Sequence, residues 1–133
     1  MRIYVAGPYS PQSPSKHTCI QEAAHNVDRA IRVALVLISK GHYPFVPHLT
    51  HYIHVSSACQ RELGERFYYE YDNTFLDHWA EALFYMGSSK GADAELERAK
   101  RLGLKIFYDF SEVPDLFERN REDLPFLGWR LQE

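Results

Sequence analysis

The chain has only two cysteines, Cys19 and Cys59, which lie forty residues apart and outside any CxxC pair. That scarcity excludes a disulfide framework and a cysteine-built metal site, and it makes a reducing cytoplasm the expected setting. No apolar run approaches the roughly 20 residues of a membrane span. The opening "RIYVAG" lacks the basic leader, long apolar stretch and cleavage site of a secretory signal. An excess of one charge is also missing. The 15 Lys and Arg and 18 Asp and Glu are scattered, for a formal charge of −3, with no footprint for a nucleic-acid polymer or an anionic membrane. GxGxxG, GxxxxGK[ST] and HExxH are absent, which removes the dinucleotide, P-loop and zinc-protease patterns. Small solutes are the expected partners.

What is present suits one compact domain over residues 1–133, since 45% apolar and 14% aromatic residues suffice for a sizeable core. "IYVA" (Ile3 to Ala6), closed by Gly7-Pro8, reads as a strand buried on both faces. "PYSPQSPSKH" reads as loop. From Asn26 to Lys40, Val27, Ala30, Ile31, Ala34, Leu35 and Ile38 repeat with helical spacing, and Gly41 ends the helix. "YPFVP" follows as a strand, and residues 48–71 read as loop and partial helix. Asp72 to Ala80 predicts a short helix leading into the strand Ala82 to Met86. Gly87 to Lys90 predicts a loop, Gly91 to Leu102 a helix stopped by Gly103, and Leu104 to Tyr108 a further strand.

Strands and helices alternating through short connections predict an α/β domain, flavodoxin-like or Rossmann-like, with three layers around a central parallel sheet. Ligands of such sheets sit beyond the C-terminal strand ends, here Gly7 to Ser10 and Gly87 to Gly91. The tail from Ser111, with Phe117, Phe126, Leu127 and Trp129 among charges, is expected to pack as an appendage or at a subunit contact.

Helical phase singles out one carboxylate. Ala92, Leu96, Ala99, Leu102 and Gly103 form one stripe and Glu95 falls inside it, while Asp93, Glu97, Arg98, Lys100 and Arg101 project elsewhere, with Glu97 and Arg101 at i,i+4 spacing. A buried unpaired carboxylate costs several kcal/mol, so the position needs a reason. A capping box is not supported, because three residues after Ser88 and Ser89 come Gly91 and Ala92. Two readings stay open: a half-buried carboxylate at the sheet edge, or a functional group at a pocket mouth beside a helix start.

The opening "IYVAGP", the helix end "SKGH", "EALFYM" and "SSKGADAELERAKRLGLKIFY" together resemble the nucleoside 2-deoxyribosyltransferase-like superfamily over most of the first 108 residues. That group includes deoxyribosyltransferases, nucleotide N-glycoside hydrolases that release a base from a 5′-monophosphate, and small bacterial and phage members. The resemblance implies that Glu95, in Gly91-Ala92-Asp93-Ala94-Glu95, is the nucleophile at the sugar anomeric carbon and that Tyr4 hydrogen-bonds near it. Six residues before the nucleophile the transferases carry Asp and the monophosphate hydrolases Ser; Ser89 stands there, with Ser88 and Lys90 beside it. An Asp assisting the leaving group matches Asp72 first and Asp77 second. The chain departs from the pattern at Glu81, where Asp is usual, in the length of its His51 to Tyr71 segment, and at Pro8, where some relatives carry a phosphate-binding Ser; Tyr9 and Ser10 follow.

The resemblance therefore implies N-glycosidic cleavage or exchange on a nucleoside or nucleoside 5′-monophosphate, hydrolysis slightly preferred. No metal or organic cofactor is called for, and a homo-oligomer is expected. A non-catalytic nucleotide-binding module is the alternative. His48, His51 and His54 in "PHLTHYIH" suit a pocket wall or subunit contact better than a metal site. The aromatics Phe67, Tyr68, Tyr69, Tyr71 and Phe75 suit oligomer packing or base stacking. Neither Ser10 nor Cys59 carries the local motif of an activated nucleophile.

Overall fold

A computed structural model describes residues 1–10, 16–54, 56 and 63–117, without the side chains of 16–20 and 65. Four parallel strands form one sheet in the order β2-β1-β3-β4: β1 (Arg2–Ala6), β2 (Tyr43–Phe45), β3 (Ala82–Tyr85) and β4 (Lys105–Phe107). The β1–β3 pairing sets Tyr4 beside Leu83 and Ala6 beside Tyr85, and the ladder is extended by Glu81 N–H to Arg2 O at 2.9 Å and Met86 N–H to Ala6 O at 2.9 Å.

Side chains alternate across each strand, so the two central strands feed two cores. Ile3, Val5, Ala82 and Phe84 pack on one face with Ala30, Ala34 and Leu37 of α1 (Lys16–Ser39). Tyr4, Ala6 and Leu83 pack on the other with Leu76 of α3 (Gly64–His78) and Ala92 and Ala99 of α4 (Lys90–Arg101). The result is the three-layer α/β arrangement expected. Each fully buried Ile, Leu or Phe contributes about 1.5–3 kcal/mol. Among the described residues no helix is long and apolar enough to cross a membrane.

Several elements differ from expectation. Helix α1 starts at Lys16, ten residues before Asn26, and its buried stripe is Ala23, Val27, Ala30, Ala34 and Leu37, with Ile31 and Leu35 half-buried and Ile38 exposed. The Pro and Ser residues before it obscured a 4-3-4-3 spacing that runs on upstream. Gly41 closes the helix with φ +93°, its N–H donating to Ile38 O while His42 N–H reaches Leu37 O. Helix α3 likewise begins at Gly64, so Asp72 lies in mid-helix rather than at a helix start. Tertiary packing of Phe75 against Phe45, with rings stacked at 4.1 Å, supports an aromatic-rich helix that propensity alone disfavours.

The strand expected through Pro47 stops at Phe45 and Pro47–Leu49 form a 3-10 turn, while Thr50–His54 form a short helix, α2, within the segment expected as loop and partial helix. Along α4, Leu102 and Gly103 are exposed, so the stripe ends at Ala99. Glu97 pairs with Lys100 at 3.0 Å, three residues on, and not with Arg101. The tail packs back through Val113, which is buried, and through Leu116 N–H to Lys40 O at 2.9 Å. Residues 118–133, with Phe126, Leu127 and Trp129, lie outside the described part, as do Cys59 and the Cys19 side chain.

Candidate active site

Connections leave β1 toward β2 and β3 toward β4, so the strand order reverses between β1 and β3 and opens a crevice beyond their C-terminal ends. The two strand ends approach closely there. A Cβ on Gly7 would stand 2.2 Å from Met86 Cγ, so only glycine fits without displacing that side chain. The crevice is a cavity of about 620 Å³, within the range of small-molecule sites. Gly7, Tyr9 and Ser10 line one side; Ser89, Lys90, Gly91, Ala92 and Glu95 line another; Asp72, Tyr68 and Tyr69 of α3 complete it with Pro47, His48, Thr50, His54 and Gly64.

The acidic floor is built from three elements. Tyr4 rises from β1, Asp72 from α3 and Glu95 from α4. Burial pushes the Glu95 carboxyl up to about 8; a Tyr4 hydroxyl contact opposes this and the Asp72 charge adds to it. Burial also pushes Asp72 up to about 7. Tyr4 is raised well above the ordinary phenol range, first by burial, then by the charges of Glu95 and Asp72. Glu95 therefore responds to both Tyr4 and Asp72, and Tyr4 to both carboxylates. Tyr4 Oη, Asp72 Oδ1 and Glu95 Oε2 are buried and complete no well-formed hydrogen bond among the described residues, although Tyr4 and Glu95 are near enough to shift one another. Glu95 is thus half-buried as a residue, with one oxygen shielded and an edge on the cavity.

The neighbouring loop is rigidly tied. Ser89 caps α4, its Oγ accepting from Ala92 N–H at 3.1 Å, and the residue lines the cavity. Ser88 is turned away: its hydroxyl and that of Tyr85 donate to Asp93, at 2.8 and 2.6 Å, and it does not line the cavity. Pro8 offers only its carbonyl, to His48. Asp77 is also outside. Arg98 donates to both its oxygens, at 2.6 and 2.5 Å, and holds its carboxyl below the usual range. Of the two Asp candidates, the structure brings only Asp72 to Glu95.

Histidines contribute more than their spacing indicated. His48 is buried and its Nε2 lies 3.1 Å from both Gly7 O and Pro8 O. Two carbonyls can only accept, so Nε2 carries the proton and Nδ1 is an acceptor, with no partner among the described residues. Burial lowers the His48 pKa and keeps the ring neutral. The Tyr9 hydroxyl meets His51 Nδ1 at 2.5 Å, while Asn26 Nδ2 donates to Tyr9 O at 3.1 Å, which holds the Tyr9 side chain in the wall. His54 packs edge-on against Tyr68. The sequence signal for this wall was "PHLTHYIH", whose histidines fall on the turn and helix facing β1. Among the described residues no group of three or more His, Cys, Asp or Glu is arranged to hold a metal ion.

Fold and crevice define an open α/β domain with a cavity at the point of strand reversal. Residues 1–109 match the model of the family described as "Domain of unknown function (DUF7768)", and the chain belongs to that family. No curated protein matches its sequence. Among solved structures, the fold is similar to that of 2-deoxyribosyltransferase from the psychrotolerant bacterium Bacillus psychrosaccharolyticus, with TM-score 0.54 and 20% identity over 80% of this chain and 69% of that one. The likeness is one of fold.

Proposed function

We propose that the chain cleaves or exchanges the N-glycosidic bond of a nucleoside or nucleoside 5′-monophosphate. The observation that carries this reading is the pairing of Glu95 and Asp72, from different helices, in one cavity with incompletely bonded oxygens and raised pKa values. Glycosidic cleavage needs one carboxylate to attack and one carboxylic acid to protonate the leaving group. The fold likeness to a deoxyribosyltransferase is consistent with that chemistry.

Glu95 attacks C1′ as its carboxylate and Asp72 donates its proton to the departing base; the glycosyl ester on Glu95 is then released by water, or by a second base in a transferase. Burial raises both carboxyls, and the productive state has the proton on Asp72 and the charge on Glu95. Tyr4 works toward that state: its hydroxyl, close to Glu95, holds that carboxyl lower than burial alone would. Ser89, Lys90 and the first α4 amides suit an anionic 5′-phosphate, and because the hydrolases that the sequence resembles act on monophosphates, hydrolysis is slightly preferred. A second reading, nucleotide binding without turnover, draws on the same Glu95 pKa of about 8, which keeps the carboxyl largely neutral at pH 7.

One assay separates these readings. The protein is incubated with nucleosides and 5′-monophosphates, with and without an acceptor base, and free base is measured by chromatography. Release without acceptor supports hydrolysis, and dependence on acceptor supports transfer. Thermal stabilisation by ligand with no base released leaves the binding module.

A further inference from the structure

The Asp77–Arg98 pair lies outside the cavity, and the proposed chemistry does not use it. Both residues share helices with the proposed catalytic groups: Asp77 is five residues beyond Asp72 on α3, and Arg98 three beyond Glu95 on α4. At about 1.5 Å per residue these are displacements of roughly 7.5 and 4.5 Å away from the cavity. The two helices also meet through Leu76, Leu96 and Ala99. Such apolar contact is non-directional and specifies the helix register less sharply than a directional bond does. A guanidinium fork on a carboxylate is directional. Arg98 Nε meets Asp77 Oδ1 at 2.6 Å and Nη2 meets Oδ2 at 2.5 Å. The Asp77 side chain is only 21% exposed, against more than 50% for both partners of the Arg32–Asp28 and Arg66–Glu70 pairs, each of which stays within one helix.

We propose that Asp77 and Arg98 are positioning residues, a clasp that locks the register of α3 against α4 and thereby the spacing of Asp72 and Glu95. This rests on the glycosidic reading for its kinetic consequence, but not for its structural one. A loosened clasp separates the two carboxyl groups and admits water between them. Their coupling then weakens and their geometry toward the sugar is lost, whereas the remaining cavity wall is untouched.

The test uses the full chain with Arg98→Met, Arg98→Lys and the swap Asp77→Arg/Arg98→Asp, each checked for folding by circular dichroism. Carbon-detected NMR follows the Asp72 and Glu95 carboxyl titrations, and base release gives kcat and KM. In Arg98→Met the carboxyl titrations are expected to fall by about half a pH unit. Its kcat is expected to drop about tenfold with KM within about twofold. Arg98→Lys, with a single donor centre, falls between, and the swap restores most of both readouts. A folded Arg98→Met with wild-type titrations overturns the proposal. A swap that restores thermal stability but not the titrations also overturns it, by reducing the pair to a surface contact. If the wild type releases no base from any substrate, the functional reading fails, and the carboxyl titrations still decide the clasp.

Discussion

The two ends of the sheet treat their polar groups in opposite ways. At the N-terminal end, His42 is buried with both ring nitrogens engaged, Nδ1 by the Met1 amine at 2.9 Å and Nε2 with Pro114 O at 2.6 Å. Arg2 N–H meets Glu81 at 2.7 Å, and Gly41 and Gly103 close α1 and α4 with matched backbone bonds. At the C-terminal end, Tyr4 Oη, His48 Nδ1, Asp72 Oδ1 and Glu95 Oε2 are buried without a partner among the described residues. Unsatisfied buried polar atoms cost about 1–3 kcal/mol each, so one end of the molecule is built for stability and the other carries a penalty that a ligand can relieve.

The hardest blow to that contrast is Glu95→Gln. It should leave a folded protein whose base release, by chromatography, is lower by about 10³-fold or more. Near-wild-type turnover would remove Glu95 from the chemistry. Next comes Asp72→Asn, expected to lower kcat by about 10²-fold. Because the productive pair carries a single proton, wild-type kcat should follow a bell, rising through about 7 as the pair loses its first proton and falling through about 8 as it loses the second, and the variant should lack the alkaline limb.

At the opposite end, His42→Ala should destabilise the fold by about 1–3 kcal/mol in urea titrations, with unchanged kcat per folded molecule. A comparable loss of kcat would show the two ends to be coupled. The smallest effect is thermal. The folded pKa of Glu95, about 8, exceeds its ordinary value near 4.5, so the protonated form is favoured by folding. Its contribution is present at low pH and is lost as pH rises through about 8. Glu95→Gln retains the neutral form and should melt about 3–6 °C above wild type at pH 9 but not at pH 4. A pH-independent difference would assign the effect to packing.

Much of this architecture was legible in the chain. Short apolar runs ending in Gly located β1 and β3, and helical phase alone turned Glu95 inward, because period and composition are local properties. The start of α1 was hidden by neighbouring Pro and Ser, and α3 by aromatics whose support comes from Phe45, distant in sequence. The choice between Asp72 and Asp77 was not readable either: it depends on Arg98, twenty-one residues beyond Asp77, reaching back across a helix pair. His48 was visible as a residue, but its fixed tautomer depends on carbonyls forty-one and forty positions away.

The turn at Gly103, with φ +74° and no atom within 4 Å of where a side chain would begin, has a practical meaning. Helix α4 carries the chain about 18 Å from the cavity before reaching it. Its last turn, at the exposed Lys100 and Arg101, is therefore a natural attachment point. A molecule coupled to a solid support through Arg101→Cys would stand with its cavity facing the solution, accessible to whatever is passed over it.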